Sequence, residues 1–314
     1  MRVLVSGANG FLGRILCDSA AAQGLAVRGT TRAAMNIGPE IENVMVGDIH
    51  EETDWGQTLA NCQAVVHLAA RAHVLQETED NPRAAFRKVN TEGTLNLARQ
   101  AVAAGVRRFI YISSIGVNGA ETFASPFSAQ DQAHPHSAYA ESKYEAEMGL
   151  RVLAAQTGME VVIIRPPLIY GPGAPGNFGT LMHWLRRGLP LPLGAIRNRR
   201  SFVGVDNLVD LILVCLAHPA AANELFLVSD GEDVSTSAFL RRLAKASGRT
   251  VYLIPFPTSL LKWGAAWVGR SDTARQLCGS LQIDIEKTRK LLNWSPPLTL
   301  DEGLQRAANH EATI

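Results

Sequence analysis

A chain of 314 residues that is 46% hydrophobic and 19% charged can bury one large core or two smaller ones, and is too apolar to be disordered. Its formal net charge of +1 gives no overall basic field for nucleic acid or for an anionic membrane surface. The four cysteines, Cys17, Cys62, Cys215 and Cys278, lack any CxxC spacing, so thiols in a reducing compartment are expected, and no disulfide framework or metal site.

The chain opens directly on an apolar β-rich run, Val3–Val5, so no leader is expected and the cytoplasm is the expected location. Three glycines follow at a spacing of three, Gly7, Gly10 and Gly13, with Asn9, Phe11 and Leu12 between them, and then a helical pattern over about Arg14–Gln23. Gly7 permits a tight turn off the strand and Gly10 a close backbone approach to a pyrophosphate. Gly13 permits close packing of the helix, whose N-terminus favours the phosphates. Strand before and helix after make this a dinucleotide site.

A second strand, Ala26–Thr31, ends in Thr31-Arg32, where NAD-selective folds usually carry Asp or Glu for the ribose 2′-hydroxyl. A guanidinium suits a 2′-phosphate, so NADP(H) is favoured over NAD(H), unless Arg32 stacks on adenine or faces water. A third strand, Asn43–Val46, leads to Asp48, which either accepts from the adenine amino group or caps a helix. The fourth, Ala64–Leu68, runs into Ala69-Ala70, small enough for the chain to pass beneath a cofactor, and His67 reads as a hydrogen-bonded neighbour of the site.

A long helix is expected from about Asn81 to Ala104, with Gly93 implying close packing and Asn90 a hydrogen bond to a neighbouring strand. The fifth strand, Arg108–Ile112, ends in Ser113-Ser114, and a long irregular segment to Ala138 is suited to cover a site. Tyr139 and Lys143 then lie one turn apart on one helical face. An ammonium there can lower the phenol pKa from about 10, while a strand-end serine shares the substrate oxygen, which is the chemistry of coupled hydride and proton transfer. A strand over Val161–Ile164 completes an alternation that predicts an α/β, doubly wound parallel sheet.

From Pro166 onward Pro and Gly become dense. Residues 1–165 are therefore expected to form the dinucleotide-binding domain, with about 203–217 returning to it, and 166–314 a smaller α/β substrate-binding portion. Leu208–Ala217 reads as a buried helix too short to span a bilayer. Thr258–Val268, with Trp263 and Trp267 at helical spacing, reads as domain cover, membrane contact being the lesser alternative.

These motifs, in order, resemble the extended short-chain dehydrogenase/reductases, a family of nucleotide-sugar epimerases, dehydratases and reductases. The resemblance runs through Gly7-x-x-Gly10-x-x-Gly13, Gly47-Asp48-Ile49, His67-Leu68-Ala69-Ala70, Asn90-x-x-Gly93-Thr94, Ser113-Ser114, Tyr139-x-x-x-Lys143 and Arg165-Pro166. It implies that Ser114 is the catalytic hydroxyl, Tyr139 the acid/base, and Lys143 the tuner of Tyr139 and ligand of the nicotinamide ribose. It also implies cofactor contacts from Asp48, Ile49, Leu68, Ala69, Ala70 and Asn90. Asn177 and Arg200 resemble diphosphate ligands of a UDP-sugar, and Leu193 the edge of a uracil pocket. Asn118 stands where the family often has Tyr, altering the wall facing the sugar. The later segments look like a bacterial surface-polysaccharide subgroup. That implies reduction of the C4 ketone of a UDP-4-keto-6-deoxy-(N-acetyl)hexosamine, with C4 epimerisation of a UDP-hexose or UDP-N-acetylhexosamine on tightly held NAD as the alternative. A non-enzymatic NADP-binding regulator is less in keeping with the intact Tyr139–Lys143 pair. A homodimer through the helices around Asn90 and Tyr139 is expected by the same resemblance.

Overall fold

The computed structural model describes residues 1–72, 79–267, 269 and 271–309. The first strand, β1 (Arg2–Ser6), is apolar and shielded at Val3, Leu4 and Val5, as a parallel strand covered on both faces must be. Helix α1 (Phe11–Ala22) crosses to β2 (Ala26–Thr31), followed by β3 (Ile41–Met45), the single turn α2 (Gly56–Leu59) and β4 (Ala64–His67). Two boundaries differ from expectation. The helix begins at Phe11, three residues before Arg14, because Gly10 is extended and its carbonyl already accepts from Arg14 N at 3.0 Å. The third strand begins at Ile41 because that side chain is buried on the sheet beside Val27, its register partner.

The expected Asn81–Ala104 helix is three pieces: α3 (Pro82–Arg87), a π turn (Lys88–Gly93) and α4 (Thr94–Ala103). Asn81 caps α3 by accepting from Ala84 N at 3.1 Å. Gly93 has a clear packing reason, since a Cβ there would lie 2.6 Å from Ile49 Cγ2. Next come β5 (Arg108–Ile112), a 3₁₀ turn (Ile115–Val117) and α5 (Ala138–Thr157), which Ser137 caps through Ala140 N and Gly158 ends in the left-handed region.

The remaining elements are β6 (Glu160–Arg165), β7 (Ile169–Tyr170), α6 (Gly176–Arg186), β8 (Arg200–Ser201), β9 (Val203–Gly204), α7 (Val205–Ala217), β10 (Leu225–Leu227) and β11 (Asp233–Val234). The helices α8 (Thr236–Ala246), α9 (Thr258–Trp267), α10 (Ser271–Cys278), α11 (Glu286–Leu292) and α12 (Leu300–Asn309) follow.

Seven parallel strands form the main sheet in the order β10-β6-β5-β4-β1-β2-β3. Strand order reverses between β1 and β4, so their carboxyl ends open the crevice in which doubly wound sheets bind ligands. The sheet core extends past residue 166: α7, β10, Leu281, Ile283 and Trp294 all belong to it, so the return to the large sheet reaches well beyond residue 217. A second apolar cluster gathers Tyr170, Phe178, Leu193, Phe202, Phe239 and Leu304. Asp230 joins the two, accepting from Gly204 N, Asn207 Nδ2 and the Tyr170 hydroxyl at 2.7–2.9 Å. Among the described residues no helix is long and apolar enough to cross a membrane. The α9 stretch packs on the second cluster through half-buried Leu261, although none of its residues is fully buried. Val268, the last residue of that stretch, lies outside the described residues.

Candidate active site

The glycine turn sits at the carboxyl end of β1. Gly7 has φ +71°, and a Cβ on it would stand 3.0 Å from the backbone of Ala69, so the turn and the segment just after β4 approach as closely as backbones allow. A Cβ on Gly13 would lie 2.1 Å from the Gly7 carbonyl oxygen. Helix α1 has neither a side-chain cap nor an acidic residue in its first turn, leaving its first N–H groups for an anion. Around them Asn9 is exposed, its carbonyl accepting from Arg14 Nε at 3.1 Å, while Phe11 is half-buried and Leu12 buried. These residues fit a dinucleotide pyrophosphate.

A buried relay ties this turn to the strand beside it. The Leu68 and Ala69 amides donate to Ser6 Oγ at 3.1 and 3.2 Å, and Ser6 Oγ lies 2.6 Å from His67 Nδ1. His67 Nε2 meets Thr94 Oγ1 at 2.9 Å, and Thr94 in turn donates to Asn90 O. Since Thr94 spends its proton on Asn90, His67 must donate from Nε2 and accept from Ser6 at Nδ1, one neutral tautomer. Burial, with the Lys143 charge adding to it, holds His67 down to about 3. The half-buried Ala70 and Leu68 line the turn's far side.

Along the crevice, Arg32 Nε and Asp48 Oδ1 form an exposed ion pair at 2.9 Å. So exposed a pair is weakly held and opens readily to a ligand. Thr31 takes no part: its hydroxyl is buried and donates to Ala33 O at 2.8 Å, because a strand-end hydroxyl shut off from water must find an acceptor. Ile49 packs on Gly93.

Asn90 is likewise engaged elsewhere. Within the π turn it accepts from Arg71 N at 2.8 Å and donates to Arg71 O and Ser142 Oγ at 3.1 and 3.0 Å, so both amide hydrogens are used. It splints the segment after β4 to α5.

Ser114, Tyr139 and Lys143 come together at the end of β5. Ser114 Oγ accepts from Gly116 N at 3.1 Å and keeps its own proton for a further acceptor. A Cβ on Gly116 would sit 3.4 Å from that oxygen, 3.1 Å from His136 and 3.5 Å from Ala140, so Ser114 lies against the start of α5. Lys143 is buried, donates to Ile112 O at 2.9 Å, and lies 4.6 Å above the Tyr111 ring and 5.9 Å from the Tyr139 ring centroid.

Burial sets the electrostatics of the two side chains. Burial pushes Tyr139 up to about 12, and pushes Lys143 down to about 7 against the raising effect of Glu147. The ammonium sits on the Ile112 carbonyl, and desolvation is the largest influence on both groups.

Glu147 is the buried neighbour of this cluster that the sequence did not announce. It is 1% exposed and accepts bidentately from Arg165, itself 4% exposed, while Ser113 Oγ donates to it at 2.5 Å. Arg165 Nη1 also donates to Asn118 Oδ1 at 2.8 Å, and Asn118 Nδ2 to Ser128 O at 2.9 Å. Asn118 therefore serves a buried guanidinium and does not offer its amide to a sugar. The signal was present: Tyr139, Lys143 and Glu147 stand at i, i+4 and i+8, one face of one helix.

The expected substrate residues lie on α6, β8 and the segment between them. Exposed Asn177, in the first turn of α6, donates to Gln276 Oε1 of α10 at 2.9 Å. Arg200 donates one Nη1 bond to Gly279 O at 3.0 Å, and burial lowers it to about 10, with Glu121 opposing. Leu193 is buried and its carbonyl accepts from Ser237. Asn177 and Arg200 both address the end of the α10 segment, and among the described residues no His/Cys/Asp/Glu cluster could hold a metal.

The chain is 46% identical to the UDP-glucose 4-epimerase of Vibrio cholerae over 311 residues, spanning 98% of this chain and 94% of the relative. It is 28% identical to the N-acetyl-alpha-D-glucosaminyl-diphospho-ditrans,octacis-undecaprenol 4-epimerase of Escherichia coli O157:H7, over 98% of this chain and 95% of that protein. Its fold matches the crystal structure of UDP-glucuronic acid 4-epimerase from Bacillus cereus in complex with NAD, with a TM-score of 0.80 at 21% identity, covering 100% of this chain and 99% of that one. Residues 3–229, the span holding the glycine turn and the Ser114–Tyr139–Lys143 cluster, match the NAD dependent epimerase/dehydratase family, and the chain belongs to it.

Proposed function

We propose that the protein is an NAD-dependent C4 epimerase of a UDP-hexose or UDP-N-acetylhexosamine. The observation that carries this is the union of an intact Ser114–Tyr139–Lys143 cluster with 46% identity, along 98% of the chain, to a UDP-glucose 4-epimerase. In this reading residues 166–314 hold the sugar nucleotide, with Arg200 and Asn177 on its diphosphate and Leu193 at the edge of the uracil. The protein works as a homodimer in the cytoplasm.

The dinucleotide, when bound at the glycine turn, supplies a hydride acceptor and donor for C4. Ser114 Oγ donates its free proton to the C4 oxygen and fixes its position. Tyr139 Oη takes the proton of the C4 hydroxyl and returns it on completion. Lys143, whose charged form Glu147 favours while burial opposes it, supplies the field that favours the phenolate. Arg200 and Asn177 hold the diphosphate end, so the hexose can turn while remaining anchored.

A second reading, NADP(H)-dependent reduction of a UDP-4-keto-6-deoxy-N-acetylhexosamine for surface polysaccharide, is favoured by one observation. β2 ends in Thr31-Arg32 with no carboxylate for a ribose 2′-hydroxyl. The test is to denature the purified protein, identify the released dinucleotide, and follow UDP-galactose and UDP-glucose interconversion with none added. Retained NAD and turnover support the epimerase. Empty protein that oxidises added NADPH only with a 4-keto sugar supports the reductase.

A further inference from the structure

The outer face of α9 is unused by the site described above. Leu260, Trp263 and Trp267, at i, i+3 and i+7, form one stripe of this helix. Trp263 is 62% and Trp267 78% exposed, their ring centroids 5.5 Å apart, whereas Trp55 and Trp294 are buried. Exposed Tyr252, Ile254 and Phe256 continue the stripe along the segment that enters the helix. An apolar patch of this kind on a folded chain marks a contact surface.

Charge decides what it contacts. All 29 carboxylates lie outside residues 161–205 and 234–271, the two stretches that build this side of the molecule. The stretches are laced together: Leu191 N donates to Tyr252 O and Ile254 N to Leu191 O, both at 2.8 Å, and Arg249 Nη1 reaches Arg186 O. Exposed Arg187, Arg249 and Lys262 lie on these two stretches, which supply no carboxylate, and the acidic residue of the adjoining α10, Asp272, is paired with its own Arg275. The net charge of +1 conceals this one-sided distribution. A second copy meeting this face through a two-fold axis would set cations against cations. Aromatic rings at headgroup depth, with flanking Lys and Arg on phosphates, are instead the chemistry of a peripheral lipid contact.

We propose that α9 docks the protein onto an anionic lipid bilayer, with Trp263 and Trp267 in the headgroup layer and Lys262, Arg187 and Arg249 on its phosphates. Docking sets the α10 side of the crevice beside the membrane, because α10 holds the Gln276 that meets Asn177 and leads to the Gly279 that meets Arg200. The proposal stands apart from the choice between epimerase and reductase.

The test is sedimentation of the full chain with phosphatidylglycerol-containing vesicles against pure phosphatidylcholine vesicles, with tryptophan emission read alongside. Binding to the anionic vesicles only is expected, with a blue shift, and Trp263→Ser/Trp267→Ser should weaken it by about tenfold or more. Lys262→Glu should weaken it further in low salt than in high salt. Unchanged melting temperature and unchanged turnover of soluble substrate show that the variants fold. No binding to anionic vesicles, or equal binding by the double variant, overturns the proposal. So does a lipid-free dimer that the double variant dissolves, since a second copy would then cover the face.

Discussion

Replacing Glu147 by Leu separates what its carboxylate does for the fold from what it does for the site. The substitution leaves the Arg165 guanidinium, 4% exposed, with Asn118 Oδ1 as its remaining side-chain acceptor. Breaking a buried ion pair from one side costs about 3–5 kcal/mol. In a chain of 314 residues each kcal/mol is worth about 2 °C, so the melting temperature should fall by roughly 6–10 °C. The same change removes the charge that raises Lys143, which burial already holds at about 7. The pH at which turnover loses the ammonium should then move acidward. The double variant Glu147→Leu/Arg165→Met removes both buried charges, so it should recover the lost stability yet keep the displaced pH profile. Thermal unfolding followed by circular dichroism and a pH–rate profile of C4 turnover read the two effects separately. A single variant melting within about 2 °C of the parent, or a double variant with the parental pH profile, would refute the reasoning.

Tyr139→Phe should lower turnover by about 10²–10⁴-fold while the protein keeps its dinucleotide, read by release on denaturation. Gly13→Ala places a methyl 2.1 Å from the Gly7 carbonyl; it should abolish dinucleotide retention and destabilise the chain by about 1–3 kcal/mol or more, measured in urea. Arg32→Ala should erase any preference for NADP over NAD in titrations with both, if this side chain reads the 2′-phosphate. Lys143 titrates at 10.5 when unfolded and about 7 when folded, so the unfolded chain binds the extra proton between those values and stability should rise from pH 7 to 9. Tyr139 goes from 10.0 up to about 12, so its contribution reverses the trend above pH 10. A melting temperature flat across pH 7–9, or an equally steep rise in Lys143→Met, would count against the assignment.

The central strands β1, β4 and β5 were legible because they are buried on both faces and read as apolar runs leading into serine or alanine, whereas the edge strand β10 is too short to stand out. The glycine turn was legible because its spacing reflects backbone contacts, Gly7 against Ala69 and Gly13 against Gly7, that a side chain would block. What escaped depended on partners distant in sequence. Nothing near Asn118 announces that Arg165 will take its carbonyl, nor near Asn90 that Arg71 and Ser142 will take its amide. The Tyr139–Lys143 pair was found by spacing, but the weight of burial on its electrostatics was not, because burial is a tertiary property. Trp263 and Trp267 show the same limit: helical spacing fixed their face, and only the packed chain reveals that nothing of its own described residues buries it.

The π turn at Lys88–Gly93 carries one more residue than an α-helical turn would need. Deleting any single residue between Lys88 and Gly93 would let the segment relax into continuous α-helix with α3 and α4 kept in phase, while the side chains within the turn are re-aimed by up to about 100°. Asn90 and Thr91, which hold Arg71 and α5 on one side, and Thr94, which holds His67 on the other, could then no longer be satisfied together. This stretch should accept substitution at exposed Lys88 far more readily than any change in length, a property that a deletion scan across residues 82–103 would register as a sharp local trough in folded yield.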